Sequence, residues 1–130
     1  MSKTFEAPNE VVELLKSIGM WRTIPQKGLL FRKTDPPKGV FVVLSGKVAL
    51  WAGESQSRFT RIASKRSLLG LPSTLRNQRY SLTALALTDL EVCQVKPKEF
   101  RHVLETNPVV GIAVLRILSE EVSDLRRFMS

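Results

Sequence analysis

Leu68-Leu69-Gly70-Leu71-Pro72-Ser73-Thr74-Leu75-Arg76-Asn77-Gln78-Arg79-Tyr80-Ser81-Leu82-Thr83-Ala84-Leu85-Ala86 is the stretch that decides the fold of this 130-residue chain. It reads as a glycine turn, a turn of helix opening on Pro72, a polar loop and a strand. Proline suits a first helical turn, where its missing N–H would have had no partner. The free N–H groups at such a helix start, here Gly70 to Thr74, favour an anion.

Outward from this unit the chain is punctuated at short intervals. Asn9 is placed to cap a helix running to about Lys16, with Gly19 in the left-handed position after it. Strands are expected at Trp21 to Ile24, Gly28 to Arg32, Val40 to Leu44, Lys47 to Ala52, Arg58 to Ile62, Tyr80 to Leu87 and Glu91 to Val95. Asp35-Pro36-Pro37-Lys38-Gly39 is a turn by composition. Many short strands with frequent turn signals predict a roll, barrel or sandwich. The last third is helical: Pro97 opens one helix, and Asn107-Pro108 stops it and starts a longer one. In that helix Leu115, Leu118, Val122, Leu125 and Met129 recur at the spacing of a coiled-coil seam. Val110, Val114, Ile117 and Phe128 form a second stripe. One stripe is expected to pack on its own domain and the other on a second copy; a single wide buried face is the alternative.

The formal net charge is +8, and its location is informative. Between Ser55 and Thr88 stand Arg58, Arg61, Lys65, Arg66, Arg76 and Arg79 with no acidic residue, leaving 14 basic against 12 acidic elsewhere. Such a run concentrates anions nearby, or simply solvates the surface. The single cysteine, Cys93, excludes an internal disulfide framework. Cys93 and the single histidine, His102, do not make a closed metal site. No Ser/His/Asp constellation, P-loop or dinucleotide fingerprint is present. The expectation is therefore a cytoplasmic, non-enzymatic protein with no catalytic residues, no metal site, no membrane span and no cofactor of its own.

Gly28 to Asp35, Val40 to Leu50, Gly70, Thr83, Ala86, Leu90 to Val92 and the helices at Pro97 and Pro108 together resemble the cyclic-nucleotide-binding domain. The similarity is nearer to the effector domain of Crp/Fnr-type regulators. It implies an α+β fold: an antiparallel, double-stranded, jelly-roll-like β-roll with a short N-terminal helix, a small cassette helix and a long C-terminal dimerisation helix. One domain is expected over 1–130, divided into a helical part at 1–20, the roll at 21–96 with its cassette at 68–86, and helices at 97–130.

The resemblance also exposes departures. The family places a glutamate after the cassette glycine for the ribose hydroxyl; Leu71 stands there. Tyr80 falls where the family has its phosphate-binding arginine, with Arg79 one residue earlier. On a strand, that shift sends a side chain to the opposite face. Leu71, Leu82 and Tyr80, with apolar residues of the long helix, are expected to make the pocket greasier than a nucleotide site. The expected ligand is a small anionic or aromatic effector rather than cAMP or cGMP, held by Gly70, Leu71, Ser73, Thr74, Arg76, Arg79, Tyr80, Ser81 and Thr83. The expected partner is a second copy through Leu115, Leu118, Val122, Leu125 and Met129. The sequence runs out at Ser130 with no DNA-recognition element visible. A ligand-free interaction module, and the regulatory half of a DNA-binding protein, stay open as alternatives.

Overall fold

A computed structural model describes residues 5–53 and 61–129; for residues 121–129 it describes the helical backbone alone. In chain order the elements are α1 (Asn9–Ile18), β1 (Met20–Ile24), β2 (Leu29–Phe31), β3 (Val40–Ser45), β4 (Val48–Trp51), β5 (Arg61–Ala63), β6 (Leu68–Leu69), α2 (Leu71–Arg76), β7 (Thr83–Ala86), β8 (Leu90–Val95), α3 (Pro97–Thr106) and α4 (Pro108–Met129). The strands form two four-stranded antiparallel sheets, ordered β1-β8-β3-β6 and β2-β7-β4-β5. This is the roll with flanking helices that the sequence predicts.

The first sheet is covered on both faces, which explains the unbroken apolar run of β3. Successive side chains of a strand point to opposite faces. Val40 and Val42 therefore join the helices, in a core with Leu15, Leu68, Cys93, Val95, Phe100, Val114 and Ile117. Phe41 and Val43 face the second sheet, in a core with Phe31, Val48, Leu50, Leu69, Tyr80, Leu90 and Val92. Only a strand buried on both sides can use such a sequence without exposing half of it.

Several local expectations are corrected. Asn9 does not cap α1: Pro8 occupies the N-cap position, and the Asn9 carboxamide oxygen accepts from Arg66 Nη1 at 3.3 Å. Gly19 is extended, with φ −93° and ψ 177°. It is required for space instead, since a Cβ there would lie 2.3 Å from Cys93 Sγ. The strand expected from Tyr80 starts at Thr83. Residues 58–60 of the strand expected before Ile62 lie outside the described residues, and β5 runs Arg61–Ala63.

Asn107 does cap a helix. Its side-chain oxygen accepts from the N–H groups of Val109 and Val110 at 3.1 and 3.3 Å, satisfying donors that a helix start leaves unpaired. α4 then buries Val110, Val114 and Ile117 against its own domain. Leu115 is 69% exposed. Leu118 is half-buried and packs on the helical core. The side chains of Val122, Leu125, Phe128 and Met129 lie outside the described residues. Among the described residues no helix is long and apolar enough to cross a membrane.

Candidate functional site

The cassette is built around Gly70. Its φ of 87° lies in the left-handed region that glycine enters without penalty. This turns the chain from β6 into α2, whose first turn holds Pro72. Thr74 Oγ1 donates back to the Gly70 carbonyl at 2.8 Å. Asn77, also left-handed, ends the helix. Ser73 Oγ donates to the Arg79 carbonyl at 3.1 Å, and Arg101 of α3 donates to the Thr74 carbonyl at 3.2 Å. The six-residue helix is thus fixed from both sides.

Tyr80 follows in the loop. It is 3% exposed and stacks on Phe31, with ring centroids 3.9 Å apart and planes 9° apart. Its hydroxyl donates to the Gly39 carbonyl at 3.0 Å and accepts from the Lys38 N–H at 2.8 Å. A Cβ on Gly70 would meet the Gly39 carbonyl at 2.9 Å and the Tyr80 ring at 3.0 Å. Gly70, Gly39 and Tyr80 therefore pack as one unit. Burial pushes the Tyr80 phenol up to about 12, against smaller lowering effects of its hydrogen bonds to Lys38 and Gly39.

A cavity of about 630 Å³ opens beside this unit. Phe31, Leu50 and Leu69 contribute buried walls, with Phe5, Leu75, Leu82 and Leu118 around them. Gly70, Pro72, Ser73 and Tyr80 line the cassette side, and Ala52, Arg76 and Ser81 are its exposed residues. Arg61 reaches in from β5, its guanidinium 4.7 Å from the Phe5 ring centroid. The described lining residues include two guanidinium groups and no acidic side chain. The cavity exceeds the depressions of about 440 Å³ near Trp21 and Lys16 and about 270 Å³ near Arg66 and Arg116.

Of the residues expected at the site, Gly70, Ser73, Arg76, Tyr80 and Ser81 come together on the cavity. Leu71 does not: it is fully buried among the helices, because its position in α2 turns it away. Thr74 is spent inside α2. Thr83 accepts from the Lys33 N–H at 3.0 Å. Arg79 donates to the Thr34 carbonyl at 2.7 Å, away from the cavity lining. It stands in a loop, so strand alternation is not what re-aims it. Arg61 and Phe5 were not foreseen at the site. Alternation along β5 was the available signal for Arg61, since its neighbour Ile62 is exposed and Ala63 buried. Cys93 is buried, and burial pushes its thiol up. His102 is exposed on α3. Among the described residues no group of three His, Cys, Asp or Glu could hold a metal ion.

Residues 21–107 match the family of the cyclic nucleotide-binding domain. The chain belongs to that family. Among its relatives is the transcriptional activator protein Anr of Pseudomonas aeruginosa, 29% identical over 99% of this chain and 52% of that protein. The catabolite activator protein of Thermus thermophilus superposes with a TM-score of 0.81 at 23% identity, over 94% of this chain and 58% of that one. The c-di-GMP-responsive regulator CLP of Xanthomonas campestris superposes at 0.78 and 19% identity, over 92% and 62%. These relatives are regulators of the Crp/Fnr type, and the chain spans about half the length of Anr. For this cyclic nucleotide-binding domain, the structural likenesses establish the fold of the cassette and roll.

Proposed function

We propose that this cyclic nucleotide-binding domain is a non-enzymatic effector sensor of a cytoplasmic Crp/Fnr-type regulator. Its cavity takes a small anionic or aromatic ligand in preference to cAMP or cGMP, and α4 carries the change to a second copy. One observation supports this reading above the rest. The cavity of about 630 Å³ is walled mainly by apolar side chains with two guanidiniums, and Tyr80 stands where the family's phosphate-binding arginine is expected. A volume of that size suits a small organic ligand. No acidic side chain stands among the described lining residues to accept from a ribose hydroxyl, and a buried unpaired hydroxyl is costly.

Two stripes on α4 support the partner. Val110, Val114 and Ile117 are consumed by the domain, while Val109, Ile112 and Leu115 are exposed on the same helix. The ligand shifts the assembly only if it binds one arrangement of α4 better than another. Leu118, on α4 and at the cavity, is where that difference would be felt. In the parent regulator the output would be transcription control.

Thermal unfolding against cAMP, cGMP, cyclic dinucleotides and a panel of organic and aromatic acids tests the reading. A ligand at about 100 times its Kd stabilises the folded state by ~2.7 kcal/mol. A rise with an acid and none with cyclic nucleotides supports the sensor. A rise with cAMP overturns the ligand preference, and no rise with any compound leaves the domain an interaction module.

A further inference from the structure

We infer that the ligand is an amphiphilic monocarboxylate, a single carboxylate on a substantial apolar body. The inference rests on the cavity being the effector site. The cavity has a polarity gradient. Its buried surface is mainly apolar, with Phe31, Leu50 and Leu69 beside the Ser73 hydroxyl and with Arg61 held over the Phe5 ring. Arg76 and Ser81, by contrast, are its exposed polar residues. A molecule matching that gradient buries a hydrocarbon part and keeps one anionic head beside Arg76.

The hydroxyls inside are already engaged. Tyr80 donates to Gly39 and accepts from Lys38, and Ser73 donates to the Arg79 carbonyl. No acidic side chain appears among the described lining residues. A polyhydroxylated or base-bearing ligand would find few side-chain acceptors here, chiefly the Ser73 and Ser81 hydroxyl oxygens, and each donor left unpaired penalises it. A dianionic head costs more to desolvate beside apolar walls than a monoanionic one. A guanidinium meets a carboxylate in a planar, two-point contact.

The test measures calorimetric affinity, below the micelle concentration, for straight-chain carboxylates from hexanoate to dodecanoate. Their methyl esters, dodecyl phosphate, citrate and cAMP are titrated in parallel. Each added methylene should tighten binding about fourfold until the cavity is filled. Each acid should outbind its ester by about tenfold or more, a charge-assisted contact being involved. Arg76→Gln should erase that preference while ester affinity is kept. Ala52→Trp, at an exposed lining position, should block acids and esters alike in a protein that still melts cooperatively. Equal affinity for acids and esters, or dodecyl phosphate outbinding dodecanoate, overturns the assignment. Binding of citrate or cAMP without the carboxylates overturns it and leaves an effector site standing; no binding by any probe removes both. Carboxylate binding that survives Ala52→Trp places the molecule elsewhere and also overturns it.

Discussion

The ring of Tyr80 lies flat on that of Phe31, 3.9 Å between centroids, and joins a loop residue to the last residue of β2. A stacked pair of this kind contributes about 0.5–1.5 kcal/mol beyond its burial. Together with the hydroxyl contacts to Lys38 and Gly39, it fixes three separate segments at one wall of the cavity.

Tyr80→Phe keeps the stack and removes both hydroxyl contacts. The Lys38 N–H and the Gly39 carbonyl lose a partner, and the expected loss is about 1–3 kcal/mol in urea unfolding. A variant as stable as the parent would mean that water replaces the hydroxyl at no cost.

Tyr80 is the only tyrosine in the chain, so tyrosinate absorbance reports it alone. Burial raises its folded pKa to about 12, above the ordinary value of 10.0. The folded state then holds its proton where the unfolded state has released it. This contribution is fully present below pH 10.0 and is lost as the pH rises through about 12. Stability of the parent should fall more steeply than that of Tyr80→Phe across that window, and native titration should lag that of the urea-unfolded chain.

Gly70→Ala places a side chain in the left-handed region and presses it on Tyr80 and Gly39. Such strain costs about 1–3 kcal/mol. Chemical denaturation should show that loss, and a Tyr80→Ala background should reduce it, because the ring that obstructs the new Cβ is then absent.

Gly19→Ala forces a methyl group towards Cys93 Sγ and the Gln94 carbonyl. Overpacking of this kind costs about 1–3 kcal/mol. Adding Cys93→Ala should recover part of it, so the two substitutions should couple in a double-mutant cycle. Strict additivity would mean that the Gln94 backbone, and not the sulfur, sets the limit.

The two stripes of α4 separate by mutation. Ile117 is 2% exposed, so Ile117→Ala should cost about 2–5 kcal/mol of unfolding free energy. Leu115→Glu should leave monomer stability within about 0.5 kcal/mol, as an exposed change does, yet weaken self-association in sedimentation. A Leu115→Glu protein that associates as tightly as the parent would exclude this stripe from the interface. Leu118 is a poorer probe, since it also lines the cavity.

The roll was legible because its signals are local. The unbroken Val40-Phe41-Val42-Val43 run, the Gly70–Pro72 start of α2 and the Asn107–Pro108 break each follow from short-range backbone chemistry. The cavity was legible only in part. Leu71 follows Gly70 directly, yet its direction depends on how α2 sits against the helices. Tyr80 has a strand-like neighbourhood, but its N–H bonds to the Asp35 carbonyl at 3.0 Å and its carbonyl accepts from Thr34 at 2.8 Å. Those partners are more than forty residues away, and no local pattern encodes them. Arg61 enters the cavity through pairing with Leu50 across the second sheet.

The walls of the cavity run from Phe5 near one end of the chain to Leu118 near the other. No short contiguous segment carries the cavity wall. A nascent chain still short of α4, or one clipped before it, lacks part of the wall that a ligand would touch. Under the proposed function, the cavity wall is complete only once synthesis has passed Leu118, so a nascent chain shorter than that would not yet offer a ligand the whole surface.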